Sequence, residues 1–142
     1  MKLWNPQSVP RGPLSVGLLL ASLFLPKPAL STVSISCLGI DSDTSVDVLF
    51  GAGPVPSVLD VTVRDGASHF STRDKDGATL AFVARAYVDE EEIRIDLVDE
   101  QAEVLVVSIR VVRFEGGEVE PFQIGYVRVG EAQPVGISCV GP

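Results

Sequence analysis

The chain has 142 residues, of which 46% are hydrophobic, so it carries enough aliphatic side chains to bury a core and does not have the composition of a disordered polymer. Three of its 11 basic residues, Lys2, Arg11 and Lys27, precede Thr32, and all 19 acidic residues follow it, so residues 32–142 carry a formal charge of −11. A body this acidic repels phosphate backbones, which argues against nucleic-acid binding.

Residues 1–31 have the three parts of a cleavable signal peptide. A start with Lys2 and Arg11 precedes the uncharged run 14–25, LSVGLLLASLFL. Ala29 and Ser31 then supply the small-x-small pattern of a cleavage site. We therefore predict cleavage after Ser31, export to a periplasm or the cell exterior, and a single mature domain of residues 32–142.

Two alternatives would keep the start of the chain at a membrane. An uncleaved anchor would have to continue through Lys27 and its two flanking prolines, and twelve apolar residues span only about 18 Å of a hydrocarbon core of ~30 Å. Lipid attachment at Cys37 would need a small-residue motif directly before it, where Ser34-Ile35-Ser36 stands instead. No later apolar run reaches 18 residues, so we expect no stable membrane insertion of the mature chain.

Cys37 and Cys139 lie near the two ends of the predicted mature chain. An exported protein meets an oxidising compartment, so we predict a Cys37–Cys139 disulfide. Two buried free thiols or a metal pair are the alternatives, although two sulfurs without a further Cys or a nearby His make a poor zinc site. The disulfide requires the first and last strands to be neighbours.

Eight segments of the mature chain are predicted strands because apolar and polar residues alternate in them. In chain order they are 32–38, 46–50, 58–64, 79–88, 93–98, 103–114, 119–129 and 135–140.

The segment 103–114 (EVLVVSIRVVRF) is predicted to be the central strand. Leu105, Val107, Ile109 and Val111 form a wholly apolar face, which needs a second apolar layer over it and a partner strand on each side.

The segment 79–88 has two interpretations. Its three alanines suit a short helix, whereas the alternation of Leu80, Phe82, Ala84 and Ala86 favours a strand. A long link is predicted between the third and fourth strands, ending in a turn where Gly77 takes a positive φ. Residues 115–118 are predicted to form a hairpin connection, and Pro121 and Gly125 to mark an edge or a bulge. Together these patterns predict an all-β, antiparallel domain of seven or eight strands, either a sandwich or a small closed barrel.

Motifs for catalysis and cofactor binding are missing from the sequence. His69 is the sole histidine and falls in the predicted link, and no Gly-x-Ser-x-Gly elbow, phosphate loop or dinucleotide fingerprint occurs. Asp41, Asp43 and Asp47 have oxygen ligands of the kind calcium takes, but turns favour aspartate in any case. We therefore predict no catalytic residues, no cofactor and no metal site.

Three classes of function remain. A non-enzymatic binding domain with an acidic surface fits best. The sequence does not identify its partner, for which a cationic protein is one candidate, and an inhibitor of a cationic secreted enzyme such as lysozyme is one specific form. An envelope structural subunit that pairs through an edge strand near Pro121 is the second class. A small hydrolase that uses carboxylates or His69 is the third, and it has the least support.

Overall fold

The computed structural model describes residues 31–53, 55–115 and 122–141. Within these ranges the chain forms ten strands and no helix. The strands are β1 (Thr32–Gly39), β2 (Ser45–Gly51), β3 (Ser57–Asp65), β4 (Ser68–Ser71), β5 (Thr79–Leu80), β6 (Phe82–Val88), β7 (Glu92–Val98), β8 (Leu105–Phe114), β9 (Phe122–Val129) and β10 (Val135–Val140).

All ten strands belong to one sheet, in the order β5-β4-β3-β2-β1-β10-β9-β8-β7-β6. Every neighbouring pair is antiparallel except β4 and β5. The two edge strands β5 and β6 are separated only by Ala81, so one stretch of chain joins both edges of the sheet. The sheet is therefore a nearly closed barrel. Of the two predicted architectures, the barrel is correct and the sandwich is not.

The core fills the inside of this barrel with aliphatic side chains. Val107, Ile109 and Val111 of β8 are at most 2% exposed, and β8 pairs with β7 on one side and β9 on the other, as predicted for the central strand. Leu105 is 41% exposed, because the register shifts where Val98 of β7 pairs with it. The predicted apolar face is therefore correct for three of its four residues.

The first and last strands of the chain meet at the cysteines. Cys37 of β1 pairs directly with Cys139 of β10, and their sulfurs are 2.06 Å apart in a disulfide bond, in agreement with the sequence prediction. Both residues are buried. The bond thus joins two neighbouring strands whose cysteines are 102 residues apart in the sequence.

The predicted link between the third and fourth strands contains a further strand, β4, and the predicted strand 79–88 is divided at Ala81 into β5 and β6, so the described residues form ten strands and not seven or eight. The placement of His69 in a loop was also wrong, since it lies in β4 opposite Arg64 of β3. A four-residue strand with Phe70 as its only apolar residue has no readable alternation. Gly66 takes a φ of +55° in the tight turn that joins β3 to β4. Gly77 takes a φ of +75°, as predicted.

The segment 79–88 is extended, as favoured, but its side chains do not alternate as predicted. Val83 pairs with Leu97 and Arg85 with Asp96, so Ala84 is an extra residue at an irregularity. After this bulge Ala86 and Val88 are opposite the buried residues Ile95 and Ile93.

Gly125 is neither at an edge nor in a bulge, which corrects that prediction. It lies in β9, which is paired on both sides in regular register. A Cβ at this position would overlap the carbonyl oxygen of Arg110 in β8, so glycine permits an unusually close approach of the two strands. Pro121, most of the predicted hairpin 115–118 and residues 1–30 of the predicted signal peptide lie outside the described residues. No helix in the described ranges is long and apolar enough to cross a bilayer.

Candidate functional site

The barrel wall is open between β3 and β6. Strand β4 pairs only with residues 62–65 of β3, which leaves residues 57–60 without a described partner on that side. Strand β6 has β7 on one edge and no described strand along its other edge. Ala86 lies opposite the fully buried Ile95, yet it is exposed. The gap therefore leaves the inward side of β6 at Ala86 exposed to solvent.

A cavity of about 710 Å³ lies beside the gap, at the end of the barrel where β1 begins, which we call the Thr32 end. Its apolar wall consists of Val33, Phe50 and Val88, all of which belong to or pack against the core. Its rim is the connection from β2 to β3 on one side and the acidic turn 89–91 on the other. We call this cavity the acidic cup.

Asp89 holds the acidic turn in shape. The Tyr87 hydroxyl donates to its Oδ2 at 2.6 Å, and the backbone amides of Glu91 and Glu92 donate to its Oδ1 at 2.9 and 2.7 Å. The hydrogen bond from Tyr87, followed by those from the two amides, lowers the pKa of Asp89 below its ordinary value. The same hydrogen bond raises the pKa of Tyr87. The turn is thus built around an ionised carboxylate.

Glu90 and Glu91 complete the negative rim. Both line the cup and are exposed, and neither carboxylate forms an ion pair within the described residues. A carboxylate on the outer wall provides a contrast, because Asp60 already accepts Lys75 Nζ at 2.9 Å. Burial raises the pKa of Asp60, but the bonds from Lys75 and Thr72 and the charges of Lys75 and Arg73 outweigh it, so its pKa is lowered.

Arg113 of β8 forms hydrogen bonds to the backbone of the acidic turn. Its amide donates to the Glu91 carbonyl at 2.8 Å and its Nη1 to the Asp89 carbonyl at 3.3 Å. A second cavity of about 280 Å³ shares Arg113 and Glu90 with the cup and reaches Gln123. The buried Arg113 Nε and Gln123 Oε1 have no hydrogen-bond partner within the described residues, so this end holds one unused donor and one unused acceptor.

This arrangement suits a group with an apolar stem and a positive head. The methylenes of a lysine or arginine side chain can pack on Val33, Phe50 and Val88 while the charged head meets the carboxylates of Glu90 and Glu91. Val88, in the wall of the cup, belongs to the edge strand β6.

The structure does not bring the other candidate residues predicted from the sequence to the cup. His69 lies on β4, and no described carboxylate forms an ion pair or hydrogen bond with it. Asp41 and Asp43 lie in the connection between β1 and β2, whereas Asp47 accepts a hydrogen bond from Ser36 within the sheet. In the part of the chain that the structure describes, no three His, Cys, Asp or Glu side chains gather as metal ligands.

The sequence interpretation missed the cup itself. In the sequence, residues 89–92 are an acidic run between the predicted strands 79–88 and 93–98, and Val33, Phe50 and Val88 fall in three different predicted strands that the pattern does not bring together. The acidic run was the available signal, but nothing in the sequence shows which strand ends lie across from it.

Comparison with known proteins gives no relative: no protein-family model, curated protein or solved structure matches this chain.

Proposed function

We propose that this chain is an exported, non-enzymatic binding domain that docks a basic protein at its acidic cup. The observation that carries the proposal is a cavity with an apolar wall and the carboxylates of Glu90 and Glu91 at its rim, neither of them in an ion pair within the described residues. Arg113 also lines the cavity but donates to the backbone carbonyl of Asp89, so a docked lysine or arginine side chain can pair with the two glutamates.

The charge of the whole domain supports the same partner. A formal charge of −11 on residues 32–142 attracts basic proteins over the Debye length of about 8 Å and accelerates their encounter with the domain. The cup would then fix the orientation of the complex. In its most specific form the proposal is inhibition of a cationic secreted enzyme such as lysozyme, with a basic side chain of the enzyme seated in the cup.

Removal of the two rim charges should weaken binding of a basic protein. We expect the double variant Glu90→Gln/Glu91→Gln to raise the dissociation constant for lysozyme, used as the probe, about tenfold at low ionic strength, because two charge pairs at the edge of an interface are lost. Isothermal titration calorimetry at several salt concentrations measures this constant, and the wild-type affinity should fall as salt rises.

Glu100→Gln/Glu103→Gln is the matched control. It removes the same two charges from exposed positions in the connection between β7 and β8, at the opposite end of the barrel. We expect its affinity to change less than about twofold. Equal weakening by the two variants would show diffuse attraction to net charge and would exclude the cup. If a panel of basic secreted proteins that includes lysozyme shows no binding at low salt, the proposed function is wrong.

Export is the other half of the proposal and has its own test. The signal-peptide pattern of residues 1–31 supports it, and the Cys37–Cys139 disulfide is of the kind that forms in oxidising compartments. Intact mass spectrometry of the protein recovered from outside the cytoplasm should give the mass of residues 32–142 less two hydrogens. A product that keeps its first 31 residues, or that is found only in the cytoplasm, would contradict export.

A further inference from the structure

Four neighbouring strands of the barrel wall contain no acidic residue. Residues 32–142 contain all 19 aspartates and glutamates of the chain. None of them lies in β8, β9, β10 or β1. Among the described strands, the carboxylates lie in β2, β3 and β7. We call the outer side of these four strands the acid-free face.

Each of these four strands exposes large apolar side chains. Ile124 of β9 lies between Val112 of β8 and Ser138 of β10, and Ser138 in turn pairs with Leu38 of β1. Ile40, the residue after the end of β1, packs beside Gly136 of β10. A Cβ added at Gly136 would lie 3.4 Å from the Cδ1 of Ile40.

The exposed apolar area approaches that buried by each partner in a standard interface. Leu38, Ile40, Val112, Ile124, Tyr126 and Val140 are between 42% and 73% exposed, and the stacked rings of Phe114 and Phe122 extend the surface with 42% and 46% exposure. Eight such side chains offer on the order of 700 Å², against about 800 Å² per partner in a standard interface. The largest apolar patch of a typical monomer is about 300–600 Å².

We infer that the acid-free face is the interface of a homodimer. A second copy brings another charge of −11, and repulsion between the copies is weakest where neither surface carries carboxylates, as on this face of four paired strands. A basic partner, by contrast, is attracted to the acidic connections and the cup. A two-fold dimer also buries the same apolar surface on both copies, so no different partner surface is required. This inference does not depend on the proposed function of the cup.

Sedimentation velocity of the full chain at about 1 to 100 µM tests the inference. We expect the wild-type chain to sediment as a dimer in the upper part of this range and to associate more tightly as salt screens the repulsion between the copies. Ile124→Lys should place a charge at the centre of the interface and raise the dimer dissociation constant at least about 100-fold. Leu38→Lys on β1 should act in the same direction.

Leu59→Lys is the matched control, because Leu59 of β3 is 42% exposed, like Ile124, but lies outside the acid-free face. We expect it to remain dimeric, and the thermal midpoint of each variant verifies that it is folded. A wild-type chain that stays monomeric throughout the range would overturn the inference, and so would equal loss of dimer in Leu59→Lys. Monomers that bind phosphatidylcholine vesicles through Ile124 would assign the face to lipid instead.

Discussion

The double variant Cys37→Ala/Cys139→Ala should lose about 4 to 5 kcal/mol of its free energy of unfolding. The disulfide closes a loop across 102 positions, and the chain-entropy model gives about 4.7 kcal/mol for a loop of that size. A domain of this length is typically stable by about 5–15 kcal/mol, so the loss would remove a large part of the total. Urea unfolding followed by circular dichroism measures the difference.

The same experiment on the wild-type chain under reducing conditions is the control. Reduction leaves both side chains in place, so it separates the covalent bond from the packing of the two buried sulfurs. We expect the reduced wild-type chain and the double variant to unfold at similar urea concentrations. If reduction leaves the midpoint unchanged, the bond does not hold β1 and β10 together.

Gly125→Ala should be the most damaging single methyl addition in the barrel, at about 3 kcal/mol. The new Cβ would overlap the Arg110 carbonyl oxygen and lie 2.8 Å from the Val111 Cα. These are backbone atoms, so no side chain can rotate away, and β9 must separate from the central strand β8. The free energy of unfolding from urea titration measures the cost.

Gly136→Ala on the adjacent strand β10 provides the comparison for this substitution. There the nearest atom to a new Cβ is the side-chain Ile40 Cδ1 at 3.4 Å, which can adjust. We expect a change of less than about 0.5 kcal/mol, since alanine also restricts the unfolded chain. Equal stability of the two variants would show that the close approach of β8 and β9 at Gly125 does not constrain the fold.

Local patterns were sufficient to predict the all-β class, the central strand and the pairing of the two cysteines. Alternation determines a strand wherever one face is buried, as it is for Val107, Ile109 and Val111. It failed where the ladder is irregular, at Leu105 beside a register shift and after the extra residue Ala84. It also missed β4, whose four residues are held mainly by pairing with β3.

The candidate site could not be predicted from local sequence patterns, for a different reason. Val33, Phe50 and Val88 come from three strands, and only the closure of the barrel brings them together with the turn at Asp89. The incomplete pairing of β3 and β6 beside that site has no sequence signature either. The acid-free face is partly visible in the sequence, because few carboxylates fall in the four predicted strands that form it, but their adjacency follows from the pairing of β1 with β10.

The central claim, that a basic protein docks at the cup, is tested most directly by NMR chemical-shift mapping. The isotope-labelled chain is titrated with the tightest-binding member of the panel of basic secreted proteins, and the perturbed backbone amides are identified. We predict that they cluster at residues 51–53 and 88–91 and at Arg113, around the cup. Perturbations that extend to the acidic connections at the opposite end of the barrel, such as those of Asp41 and Glu100, would contradict the claim.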